Sequence, residues 1–128
     1  MGINSRSKGK AGELEWAKWL RNRLGISEAR RGQQFQGGAD SPDVLGIGGI
    51  HFEVKRVERI NLDKAMDQAS GDCGIDAIPV VAHRRNRRPW MITILADDIP
   101  QFILAMEAAI CHSDNASQRT SSAGSGPD

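Results

Sequence analysis

The stretch Pro42-Asp43-Val44-Leu45-Gly46-Ile47-Gly48-Gly49-Ile50-His51-Phe52-Glu53-Val54-Lys55 decides the fold. Two β-type runs, Asp43 to Leu45 and Ile50 to Val57, flank a segment dominated by Gly46, Gly48 and Gly49, the residue type that the positive backbone angles of a hairpin turn demand. A turn centred on Gly48 sets Asp43 directly across from Glu53. Paired residues of an antiparallel ladder point to one face with Cβ atoms ~5 Å apart, where two like charges destabilise the sheet. A divalent cation between them reverses that sign, because hard carboxylate oxygens are what Mg²⁺ binds. Alternation brings Lys55 to the same face, with Phe52, Val54 and Val57 on the apolar side. The competing reading is an edge strand whose Glu53, Lys55 and Glu58 merely face water.

Upstream, Lys10 to Leu24 has helical spacing, with Leu14, Ala17, Leu20 and Leu24 on one stripe and Gly25 as a stop. Ser27 to Phe35 reads as a polar strand and Gln36 to Pro42 as a loop. Downstream, Asn61 is the expected N-cap of a helix that buries Leu62, Ala65, Met66 and Ala69. Ala77 to His83 and Trp90 to Leu95 are strand candidates, and Asp97 or Asp98 caps a last helix through Ile110. The order α-β-β-β-α-β-β-α predicts an α/β domain with a mixed central sheet flanked by helices. That domain occupies residues 1–111, and the Ser- and Gly-rich run 112–128 reads as a disordered tail.

Composition excludes several classes of function. The chain has 128 residues and a formal charge of +1, with no apolar run near the ~20 residues a membrane span needs. Its N-terminus lacks the apolar stretch of a signal peptide, so a cytoplasmic protein is expected. Cys73 and Cys111 stand far apart with no neighbouring ligand, and His51, His83 and His112 are scattered, which disfavours a structural zinc site. The absence of tyrosine rules out chemistry on a tyrosine nucleophile.

Positive charge is local rather than global. Arg84-Arg85-Asn86-Arg87-Arg88 places four guanidinium groups between two strands, Arg6, Lys8 and Lys10 form a second cluster, and Arg30-Arg31 a third. Such clusters suit phosphate contacts, with Trp90 either stacking on a base or packing in the core. A solvated hairpin tip is the alternative for Arg84 to Arg88.

Pro42-Asp43 followed by Glu53-Val54-Lys55 resembles the signature of the PD-(D/E)xK nuclease superfamily. Lys8-Gly9-Lys10-Ala11-Gly12-Glu13 is similar to the first-helix motif of its Holliday-junction resolvase branch. Gly38-Ala39-Asp40-Ser41-Pro42-Asp43, Phe52-Glu53-Val54-Lys55-Arg56 and Met66-Asp67-Gln68-Ala69 extend the likeness to phage-type resolvases, from Ser7 to about Asp98.

The resemblance implies a restriction-endonuclease-like fold and a Mg²⁺-dependent endonuclease, active also with Mn²⁺, that cuts branched double-stranded DNA as a homodimer in a bacterial or phage-infected cell. Catalytic roles fall to Glu13, Asp43, Glu53 and Lys55, and metal ligation to Asp43, Glu53 and the Val54 carbonyl. Lys55 would orient water or stabilise the transition state, and Glu13 would act as an outer ligand or position water. Glu15, its competitor, lies ~200° around the helix. Lys8, Lys10, Arg84, Arg85, Arg87 and Arg88 are the candidate DNA contacts. Asp40 joins the metal shell or closes an Asx-turn, and Gln68 faces the site or the solvent. The last helix, with Ile99, Phe102, Ile103, Met106 and Ile110, covers the sheet or forms the dimer interface. The same fold also serves restriction and repair nucleases, and a non-catalytic nucleic-acid-binding module is the reading from another class.

Overall fold

The computed structural model describes residues 5–32 and 42–125, with side chains for 9–32 and 42–112. Its elements are α1 (Ser5–Leu24), β1 (Arg30–Arg31), β2 (Val44–Leu45), β3 (Ile50–Arg56), α2 (Leu62–Asp72), β4 (Ile78–Arg84), β5 (Met91–Ile94) and α3 (Ile99–Ser125), the last entered through one 3-10 turn at Ala96–Asp98. This is the expected α/β order. The strands form one mixed sheet in the order β1-β2-β3-β4-β5, antiparallel except for the β3–β4 pair. A parallel pair needs a crossover, which α2 supplies. Among the described residues no helix is long and apolar enough to cross a membrane.

Alternation along β3 and β4 separates two faces. Ile50, Phe52 and Val54 join Ile78, Val80 and Ala82 in a core closed by Trp16, Ala17 and Leu20 of α1 and by Phe102 and Met106 of α3. Trp16 anchors it, with its ring 5.0 Å from Trp19, 5.5 Å from Phe52 and 5.0 Å from Trp90. Trp90 therefore packs in this core, although it stays half-buried. The opposite face buries Val81 against Ala65, Met66 and Ala69 of α2. Glu53 and Lys55 pair with Val81 and His83 in the parallel register and share that second face. Central placement of β3 overturns the edge-strand reading, since Glu53 is only 6% exposed.

Several local expectations shift. The buried stripe of α1 is Glu13, Trp16, Ala17 and Leu20, while Leu14 is 49% exposed. The stripe rotates because an indole offers more apolar area to the sheet than a leucine does. Leu62 likewise faces outward, although Asn61 caps α2 as expected, its side chain accepting from the Lys64 N–H at 3.0 Å. Val57 lies beyond the end of β3 and does not belong to its apolar face. Of the strand expected from Ser27 to Phe35, Arg30–Arg31 is extended, and residues 33–41 lie outside those described. Backbone helix runs past Ile110 to Ser125, because no proline or glycine stops it before Gly124. Side chains beyond His112, where the tail was expected, lie outside those described.

One glycine sets how closely α1 approaches β3. A Cβ at Gly12 would stand 2.8 Å from Arg56 Cβ, an atom fixed by its own backbone. Gly→Ala in a helix interior ordinarily stabilises by ~1 kcal/mol. Here the sign reverses: Gly12→Ala is expected to lose about 1–2 kcal/mol in urea unfolding, as overpacking does. A gain in stability would show that α1 can retreat freely.

Candidate active site

The expected hairpin register holds at Val44↔Phe52. One residue earlier the ladder changes partner. Asp43 donates its N–H to the Phe52 carbonyl at 2.8 Å, and its Oδ2 accepts the Val54 N–H at 2.8 Å. A continued ladder would bring Pro42 opposite Val54, where proline has no N–H for the Val54 carbonyl, and the Val54 N–H goes to the Asp43 carboxylate. The Asp43 side chain therefore takes a main-chain position in the sheet. Buried N–H groups require a partner, so this bond fixes the carboxylate beside β3.

Two more buried acids feel its charge. Glu13, Asp43 and Glu53 are 8%, 7% and 6% exposed. Burial, then the Asp43 charge, push the Glu53 carboxyl up to about 7, with Lys55 pulling the other way and Asp72 and Glu13 adding to the rise. Burial and Asp43 likewise raise Glu13, against the opposing pull of Arg31. Arg31 Nε donates to Glu13 Oε1 at 2.7 Å. Lys55 Nζ lies 3.8 Å from Glu53 Oε2 and donates to Gln68 Oε1 at 3.2 Å. Gln68 thus turns toward the site from α2.

Buried carboxylates that oppose one another's ionisation form a hard-oxygen donor set, the chemistry Mg²⁺ selects. Among the described residues no three His, Cys, Asp or Glu already stand close enough to hold a metal ion. Asp43 and Glu53 could supply two oxygens, with the remaining positions left to main-chain oxygen, water or substrate. Glu13 commits one oxygen to Arg31, which suits it to an outer position.

The basic residues divide into paired and exposed groups. Arg84 is tied to α1 through Glu15 Oε1 at 2.7 Å and donates to the Arg88 carbonyl at 2.6 Å. Glu15 also accepts from Arg56 at 3.2 Å, so it bridges strands instead of entering the site. Arg85, Arg87 and Arg88 are exposed on the β4–β5 turn, closed by Arg88 N–H to the Arg85 carbonyl at 3.2 Å. Arg87 holds φ at 61°, left-handed backbone that costs a non-glycine residue about 1–2 kcal/mol. Lys10 is exposed on α1, the Lys8 side chain lies outside those described, and Asp40 lies in the segment outside the described residues.

Sequence reasoning missed Arg31 as a counter-charge, having grouped it with Arg30. In β1 Arg30 is exposed and Arg31 half-buried, and strand alternation was the available signal. It also missed Arg59 and Lys64, which line a depression of about 200 Å³ beside Lys55 and Gln68. The chain matches no family model, no curated protein and no solved structure.

The carboxyl of Glu53 makes stability pH-dependent. Below its ordinary value of 4.5 it is protonated folded or unfolded; from there to about 7 only the folded state keeps the proton. Stability is greatest at the acid end of this window and falls as pH rises through 7. In the absence of divalent cations, Tm should decline from pH ~5 to ~8 by several degrees, at about 3–6 °C per kcal/mol for a chain of this size. Glu53→Gln should flatten the decline in a melting series across that range. An unchanged slope would remove Glu53 as its source.

Proposed function

We propose that the protein is a Mg²⁺-dependent endodeoxyribonuclease that hydrolyses phosphodiesters of branched DNA, with a restriction-endonuclease-like core of the PD-(D/E)xK type. The observation that carries this reading is that Asp43, Glu53 and Glu13 are all buried and the charges of Asp43 and Glu13 bear on Glu53, with Lys55 3.8 Å from Glu53. Arg31 and Lys55 offset part of the cost of burying these acids, and a bound cation would offset more of it.

Asp43 and Glu53 would hold the cation with the Val54 carbonyl, and Mn²⁺ would substitute. Such a cation supplies Lewis-acid polarisation of the scissile phosphate and lowers the pKa of the attacking water. Lys55, braced by Gln68, places an ammonium where charge grows on the phosphate oxygens. Glu13, fixed by Arg31, positions water. Lys8, Lys10, Arg85, Arg87 and Arg88 meet the DNA backbone, and Arg84 buttresses their turn through Glu15. A homodimer fits symmetric cutting of a four-way junction. The exposed apolar residues Ile92, Ile99, Ile103 and Leu104 of β5 and α3 favour such an interface.

Asp43→Asn keeps an amide oxygen that can still accept from Val54 but removes the charge. It should abolish Mg²⁺-dependent cutting of a synthetic four-way junction while junction binding in chelator persists. Lys55→Ala should slow cutting by about 10²–10³-fold, the usual loss for one group that stabilises developing charge. If the unaltered protein cuts no junction or duplex with Mg²⁺ or Mn²⁺, the nuclease reading fails.

Arg85→Ala tests the basic turn separately. Its junction affinity should fall, and the slope of log affinity against log salt should shrink by about one. Equal affinity at every salt concentration would remove the turn from the interface.

A further inference from the structure

The depression beside Lys55 does not end there. It shares Val57, Arg59 and Ile60 with a larger one of about 390 Å³, which lies against the β4–β5 turn. The larger depression has an unusual lining for a phosphate track. Ile60, Leu62, Pro89 and Met91 make it largely apolar, and Leu62 and Met91 remain 37% and 53% exposed. Arg59, Arg85 and Arg88 surround that apolar surface and are exposed. Its one acid, Glu58, is engaged by the Asn86 N–H at 2.7 Å.

Each kind of lining asks something different of an occupant. The guanidinium groups call for a polyanion, and the apolar surface calls for flat or apolar groups. Double-helical DNA offers phosphates but keeps its bases stacked inside, so it would leave the apolar surface bare. An unpaired strand offers both, since splayed bases stack on apolar surface and on guanidinium planes while the phosphates meet the arginines. The volume falls in the ~300–1,000 Å³ range of small-ligand sites, enough for a nucleotide and not for a duplex.

We infer that this depression seats unpaired nucleotides of a DNA strand, next to the Lys55 site. The inference rests on the nuclease reading for its choice of polyanion. It deepens that reading by naming the substrate feature engaged, which is a strand leaving its duplex near the scissile phosphate. The linked depressions give that strand a path from Lys55 past Arg59 to Arg85 and Arg88.

The test is fluorescence anisotropy on the full chain in EDTA, where no cutting intervenes. Three labelled probes of equal length are used: oligo(dT), a blunt duplex and an abasic oligonucleotide. Oligo(dT) should bind about tenfold more tightly than the abasic strand, the order of one stacked base, and more tightly than the duplex. The double variant Leu62→Ser/Met91→Ser should weaken oligo(dT) binding about tenfold and leave duplex binding within about twofold. Equal affinity for oligo(dT) and the abasic strand overturns the inference, as does an equal loss on both probes in the variant. Should that variant fail to fold, the base-versus-abasic comparison on the unaltered protein decides alone. Base-dependent binding without any Mg²⁺-dependent cutting would sink only the nuclease reading. Junction cutting with base-independent binding would sink only this inference.

Discussion

A main-chain N–H in the middle of a sheet must find an acceptor, and that of Val54 finds a side chain. The Asp43 carboxylate, 2.8 Å away, accepts it at the point where Pro42 breaks the ladder. Two consequences follow from that bond. It ends regular β2–β3 pairing after Val44↔Phe52, and it holds an anion in a place that neither solvent nor rotamer choice can relax. Burial is the first cause that raises the Glu53 and Glu13 carboxyls and the Asp43 charge the second, so this one hydrogen bond helps set the electrostatics of both.

The first helix turns two nearby acids to different uses. Glu13 faces the sheet and meets Arg31, whereas Glu15 faces the side and gathers Arg56 and Arg84. The second arrangement ties α1 to the ends of β3 and β4, and the ends of those strands carry Lys55 and the arginine turn. Gly12 lets α1 lie against Arg56, with no room for a Cβ between them. The Gly12-Glu13 pair in the sequence thus sets a packing requirement next to a buried acid.

Much of this was legible beforehand, for a definite reason. Period-two alternation and a glycine-rich turn are local, so the Val44↔Phe52 pairing, the burial of Phe52 and Val54, and the shared face of Glu53 and Lys55 could be read from consecutive residues, whereas the ladder pairing of Asp43 with Glu53 was not kept. The Asn61 cap was local too. What escaped depended on distant partners. Leu14 and Leu62 have suitable spacing, but which helical face is buried was decided by Phe52 and Trp90 against Trp16 and by Val81 against α2, all distant in the chain. Arg31 looked like surface charge until Glu13, 18 residues earlier, came beside it. The tie of Arg84 to Glu15 spans 69 residues and left no sequence signal.

Formal charge describes this molecule poorly. The total of +1 counts Glu13, Asp43 and Glu53 as equal to any surface acid, yet all three are buried. A charge inside the fold shapes the field at its own site, while exposed arginines shape the field that an approaching polyanion meets. Glu53, with a carboxyl that releases its proton only near pH 7, subtracts still less from the surface. Glu15 and Glu58 are already engaged, by Arg84 and by the Asn86 N–H, on the side where Arg59, Arg85 and Arg88 remain exposed. A nearly neutral chain can therefore present a basic face, because Glu13, Asp43 and Glu53 are buried away from it and Glu15 and Glu58 are engaged.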